Sequence, residues 1–412
     1  MAEERDGTRD IKPERIISID VMRGFALICM VLVHFMIFYG NDGAANTWPY
    51  FILNHILGDW GAACFLMMMG MSQVFSGEKH KEEGNLILFK RALIRGCFIF
   101  MVGIIMLALA WGPYQIWQWD ILTLIGFATI LLFFCRFLPS WSILAIVAAL
   151  AVCTPWLRGG VDFNAVWGGQ FVHVPVISHY LPGIMLDPAK EFEVVWRAKD
   201  IAQGFLLTGY FPVIPWSLFP LVGYIMGRRI VNRRMRHDLP LLIMIGILLV
   251  CIGLGGAYAG RGHPESSIIN GFVAPLSFYP DSFTMICFQL GMALIVFSIL
   301  YYCYDVLKQD KHKVSFIVGI YNRTSGFSLT FYFFHYILIG WPLVLIYLIT
   351  GKYYLSGLMG AIPALLCGIA AVILLELLLA FWERRGAKYS LEWFLVVLTL
   401  RFASRSRPDT KI

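Results

Sequence analysis

The chain has 412 residues, of which 59% are apolar and 14% charged. A soluble domain is about 45–50% apolar and about 25% charged, so a soluble fold of this length is excluded and the bilayer is the expected solvent. The net charge of +7 raises nucleic acid as a partner. The excess sits in short inner loops, however, as in Arg228, Arg229, Arg233, Arg234 and Arg236, so no nucleic acid is expected.

In chain order, residues 1–15 form a charged tail. The apolar stretch behind it is span-length and lacks a small-residue cleavage site, so no cleavable signal peptide is expected. Runs long enough to cross about 30 Å of hydrocarbon follow near 16–40, 58–76, 87–111, 117–136, 139–157, 205–227, 239–259, 281–304, 325–349 and 354–382. The expected fold is an all-α polytopic membrane protein of about ten transmembrane helices. Pro212, Pro215 and Pro220 predict a kink between Tyr210 and Gly227. With the N-terminus inside, the inner segments carry 26 Lys and Arg and the outer loops 6. The positive-inside rule then places both termini in the cytoplasm. A membrane domain spans 16–386, with an outer loop or cap at 158–204, and 387–412 is a cytoplasmic segment whose part Tyr389–Phe402 reads as an amphipathic helix.

All nine cysteines lie in apolar runs and none has CxxC spacing, which argues against disulfides and against a metal site. There is no Gly-rich phosphate loop and no internal repeat of the transporter kind.

Ionisable residues inside spans cost at least ~2.5 kcal/mol each and mark functional sites. Asp20 and Arg23 lie three residues apart on the first span, and His34 lies eleven beyond Arg23. At about 100° per residue Arg23 and His34 share a face, about 16 Å apart along the axis. Such a stripe suits a cavity for a long anionic ligand or a proton path, while an ion pair that only fixes packing is the bland alternative. His55 and Asp59, at i,i+4, form an imidazole–carboxylate pair of the kind that serves a general base. His335 sits half-way along an apolar span, where a hydrogen-bonded core histidine is equally expected. Arg91, Arg95 and Arg228, at inner ends of spans, suit phosphates or simple membrane anchoring.

The run Arg15-Ile16-Ile17-Ser18-Ile19-Asp20-Val21-Met22-Arg23-Gly24 resembles the opening motif of heparan-α-glucosaminide N-acetyltransferase and its prokaryotic YeiB-like relatives. Similar stretches follow in order: Asp59 through Phe65 to Gly70, Arg91 and Arg95, Phe211-Pro212-Val213-Ile214-Pro215-Trp216 with Gly223 and Gly227-Arg228, Tyr279-Pro280-Asp281, His335 and Leu391-Glu392-Trp393. The resemblance implies a transmembrane acyltransferase. Acetyl-CoA or another acyl-CoA would be the cytoplasmic donor substrate, with no metal, and the acceptor, often a sugar, would lie on the far side. On that reading Arg15, Asp20, Arg23, Arg91, Arg95, Arg228 and His335 hold the donor. His55 best matches the family's catalytic histidine, with Asp59 orienting it, although the His55–Asp59 spacing is shorter than the family's. His34 stands where the heparan enzyme has Asn, yet Arg23-x10-His34 matches the signature of the broader membrane O-acyltransferases. Both histidines stay open as the base, and so do direct transfer and an acyl-histidine intermediate. Expected partners are acyl-CoA, a carbohydrate or small-molecule acceptor, the lipid of a plasma membrane and, as for many large membrane enzymes, a second copy of the chain. The rival from another class is a proton-coupled transporter that uses Asp20, Arg23, His34 and His335 as a relay.

Overall fold

The computed structural model describes residues 16–159, 161, 198–262, 271–279, 281–307, 316–351 and 357–403. Arg15 and most of the expected outer cap lie outside the described residues.

The architecture follows from the apolar runs. Twelve helices carry the argument: α1 (Ile17–Tyr39), α2 (Gly61–Lys79), α3 (Asn85–Trp111), α4 (Ile121–Cys135), α5 (Ser140–Gly159), α6 (Leu218–Val231), α7 (Met235–Ala259), α8 (Phe283–Tyr301), α9 (Phe316–Gly326), α10 (Ser328–Thr350), α11 (Ala361–Arg384) and α12 (Leu391–Ala403). Among the described residues, nine helical segments are long and apolar enough to cross a bilayer, and α4 is a shorter apolar tenth. The protein is an all-α polytopic membrane protein. Large apolar side chains such as Leu241, Met244, Ile247, Leu248 and Ile252 on α7 are exposed, as a lipid-facing surface requires.

α1 is the central helix, packed against α2, α8, α9, α10 and α11. The other strong pairings are α2 with α6, α3 with α4 and α7 with α8. The kink expected near Tyr210 is a full break: helical turns end at Thr208, an irregular Gly209–Phe211 follows, and α6 begins at Leu218. A second break at Phe327 separates α9 from α10, and α10 is the expected ninth span at 325–349. The closing helix α12 packs along α3 and α10.

Membrane helices gain little from the hydrophobic effect against one another, so small residues that admit close backbone approach decide their packing. At the α2–α6 crossing, a Cβ built on Gly70 would sit 2.1 Å from the Pro220 carbonyl oxygen. One built on Gly223 would sit 2.0 Å from the Met67 carbonyl oxygen. Neither neighbour is a flexible side-chain tip, so both contacts force the helices apart. We expect Gly70→Ala and Gly223→Ala each to destabilise the detergent-purified protein by about 1–3 kcal/mol through overpacking. Gly77→Ala, on the same helix with open space around it, should instead be neutral or stabilising by up to about 1 kcal/mol. Thermal unfolding of the three variants checks the contrast.

Candidate functional site

Among the described residues, cavities flank the central helix and its neighbours, two of them at one end of the bundle and one towards the other. The first, of about 560 Å³, is walled by Asp20 and Arg23 of α1, Ser72 and Lys79 of α2, Arg91 and Arg95 of α3, and Thr399 and Leu400 of α12. A second, of about 550 Å³, shares Ser76, His80, Arg91 and Arg95 with it and adds Lys81, Arg136, Tyr224 and Arg228. Lysines and arginines outnumber the carboxylates on both walls, in keeping with the end expected to face the cytoplasm. Burial, then the nearby Arg91, lowers the pKa of His80, so at neutral pH the positive charge here belongs to the lysines and arginines.

The cations are not equally available. Arg91 is held by Glu83 in a two-pronged pair, 2.7 and 2.9 Å. Arg228 donates to the carbonyl oxygens of Cys135 (2.8 Å), Arg136 (3.2 Å) and Leu138 (2.7 Å), closing the end of α4. Arg95 differs, because its buried Nε has no hydrogen-bond partner among the described residues. It faces both cavities. Arg23 donates to Ser72 Oγ, to the Met68 carbonyl and to Ser325 Oγ (3.4 Å for the last two), while Ser325 Oγ donates to Asp20 at 2.6 Å.

The third cavity, of about 260 Å³, begins one turn beyond Arg23 on α1. Its wall takes Ala26, Met30, Val33 and His34 from α1, His55 and Asp59 from the turns before α2, and Phe211, Tyr279 and Tyr332 from further along the chain. The two competing histidines therefore share one chamber. His55 Nδ1 lies 3.2 Å from Asp59 Oδ2, but its side chain is 54% exposed. His34 is more enclosed, and its Nδ1 lies 3.0 Å from Nε2 of His335, which is fully buried. His335 lines neither inner cavity; it stands behind His34, with its own Nδ1 on the carbonyl oxygen of Tyr332.

Behind these rings lies a group that no sequence motif flagged. Asp120 is 3% exposed and accepts from the hydroxyl of Tyr332 at 2.9 and 3.0 Å and from the amide of Leu122 at 3.2 Å. Its position before the apolar run of α4 is an N-cap signal, which explains one of its bonds and not the tyrosine.

The family model for the catalytic region of heparan-alpha-glucosaminide N-acetyltransferase matches residues 15–255, more than half of the chain. The chain belongs to the heparan-alpha-glucosaminide N-acetyltransferase family. No curated protein matches it. The stretch shared with the acetyltransferase family covers Arg23, His34, His55, Asp59, Arg91, Arg95, Asp120 and Arg228, and His335, Tyr332 and α12 lie beyond it.

Removing the tyrosine hydroxyl leaves the Asp120 carboxylate short of a donor in a dry site, a loss of about 1–3 kcal/mol. We expect Tyr332→Phe to lower stability by that amount, and Asp120→Ala with Tyr332→Phe to cost less than the two singles added, since each single removes one partner of the same hydrogen bond. A double-mutant cycle on thermal or denaturant unfolding measures it.

Proposed function

We propose that the chain transfers an acyl group, acetyl in the first instance, from cytoplasmic acyl-CoA to a hydroxyl or amine on an acceptor at the outer face of the plasma membrane. A sugar is the proposed acceptor class. The observation that carries this reading is the pair of cavities strung along one helix. Asp20 and Arg23 of α1 line the basic inner cavity, and Ala26 to His34 line the outer one. Family membership supports acetyl transfer as the chemistry.

The inner cavities suit the phosphates of the donor, with Arg95 the cation best placed to take them, and Arg15, Arg91 and Arg228 around it. The pantetheine arm then runs past Arg23 along α1, and the roughly 16 Å from Arg23 to His34 is the reach it must cover. His34 is the better base of the two. It lies on the helix that guides the donor, in the enclosed part of the chamber, whereas His55 with Asp59 stands at a more exposed rim and suits holding the acceptor. In the transfer, His34 takes the proton of the attacking hydroxyl or amine as its oxygen or nitrogen bonds to the thioester carbonyl carbon. The carbon–sulfur bond breaks, and the proton passes from His34 to the departing thiolate, so acylated acceptor and free CoA result.

With acetyl-CoA at 100 times its Kd, the wild type in detergent should gain about 2.7 kcal/mol of stability by mass action. Arg95→Ala should lose most of that gain. His34→Ala should keep it and lose transfer by roughly 10²–10⁴-fold. Thermal shift and acetyl-transfer assays read the two effects. A folded wild type that binds neither acetyl-CoA nor a longer acyl-CoA would overturn the reading and favour a proton-coupled transporter.

A further inference from the structure

We infer that His335 is a positioning residue: it fixes the tautomer of His34, keeping the proton on His34 Nδ1 and leaving Nε2 as the basic nitrogen. The use of that nitrogen in transfer rests on the acyltransferase reading, whereas the tautomer rests on geometry alone.

A carbonyl oxygen only accepts, so the nitrogen of His335 that meets the Tyr332 carbonyl, Nδ1, carries a hydrogen. His335 has no exposed surface, and an imidazolium with no counter-charge is too costly in such a place. The neutral ring then has its lone pair on Nε2. That atom lies 3.0 Å from His34 Nδ1, so the hydrogen between the two rings belongs to His34 Nδ1. A neutral His34 consequently bears its own lone pair on Nε2, on a side chain that lines the outer cavity.

The arrangement resists rotation. The two imidazole planes lie 13° from parallel with centroids 5.2 Å apart, in keeping with a hydrogen bond between their edges. Tyr336 covers both, 5.2 Å from His34 and 4.2 Å from His335, and Phe38 lies 5.8 Å from His34. Tyr332, whose carbonyl orients His335, is itself tied through its hydroxyl to Asp120. Imidazoles used as bases or metal ligands are commonly held in one tautomer by a partner on the second nitrogen. Here the partner is another imidazole rather than a carboxylate. A free histidine side chain prefers the hydrogen on Nε2, which would present a donor to the cavity instead of a base. Once His34 takes up a proton on Nε2, its Nδ1–H still donates to His335. The neutral partner stabilises that cation less than a carboxylate does, which suits a base that must return its proton to a thiolate.

The test is nitrogen NMR on the full-length protein with ¹⁵N-labelled histidine, with His34 assigned by difference from His34→Asn. In the wild type the expected His34 signature is a protonated Nδ1 and an unprotonated Nε2. His335→Phe, which cannot accept, should move the hydrogen to Nε2 or mix the tautomers. His335→Gln, whose amide oxygen accepts in the same place, should restore the wild-type pattern. A wild-type His34 protonated on Nε2, or a pattern unchanged in His335→Phe, overturns the proposal. If His335→Phe does not fold, the wild-type and His335→Gln spectra decide alone. Acetyl-CoA binding by thermal shift tests the donor site separately, so failure of the tautomer and failure of the acyltransferase reading are distinguishable.

Discussion

A guanidinium cannot sit in hydrocarbon unless its donors are met, and the arrangement of the whole bundle centre follows from how Arg23 meets this demand. Its nitrogens reach Ser72 Oγ and the Met68 carbonyl on α2 and Ser325 Oγ at the end of α9, and Ser325 in turn donates to Asp20. One residue thus ties α1 to two helices from distant parts of the sequence. Beside it, Gly24 lets α1 approach α9 closely, because a Cβ there would lie 2.4 Å from the Tyr321 carbonyl oxygen. The rotation and height of α1 are set together, and with them the positions of everything α1 presents to the cavities. Arg23 is accordingly part of the scaffold as well as of the inner cavity wall.

The same logic recurs at helix starts, where the first amide hydrogens lack intrahelical partners. Two carboxylates from far along the chain meet them. Asp305, just past α8, accepts from the amides of Ile17 and Ser18 at 2.9 and 3.0 Å. Glu392 of α12 accepts from the amides of Leu329 and Thr330 at 2.7 and 3.0 Å and from the Thr330 hydroxyl. A negative charge at a helix N-terminus is also favoured by the helix dipole. The helices so pinned are α1 and α10, the two that bring His34 and His335 together. The pairing of the rings is therefore supported from outside either helix.

Much of this could be read from the chain alone, and the reason is local. Apolar runs of span length report their own burial in lipid, and a charge within such a run stands out whatever its partner. Hence Asp20, Arg23, His34, His55 and Asp59 were visible, and helical spacing put Arg23 and His34 on one face. What stayed hidden depends on topology. Ser72 and Ser325 are ordinary residues for a membrane helix until Arg23 meets them. Asp120 reads as a helix cap, and nothing nearby reveals Tyr332, 212 residues away. The family resemblance groups His335 with the donor-binding residues, and nothing in that motif shows that its Nε2 meets Nδ1 of His34, 301 residues earlier. Arg91, Arg95 and Arg228 looked alike as inner cations, and only their partners separate them. The segment Tyr389–Phe402 was expected on the inner surface by its amphipathic pattern, while in three dimensions α12 also walls the inner cavity through Val396, Thr399 and Leu400.

The match to the acetyltransferase family ends at residue 255, but the site does not. Ser325 completes the Arg23 brace, Tyr332 forms part of the outer cavity wall, His335 stands behind His34, and α12 closes one side of the inner cavity. The matched stretch carries Arg23, His34, His55 and Asp59, and the remainder supplies further hydrogen-bond partners and parts of both cavity walls. This division has a physical consequence. A partner that acts through an intervening imidazole or a capped helix end tolerates substitution by any group that accepts the same hydrogen bond, whereas a group that meets the substrate does not. Changes beyond residue 255 can thus retune the basicity of His34 and the shape of the inner cavity while Arg23 and His34 themselves stay unaltered.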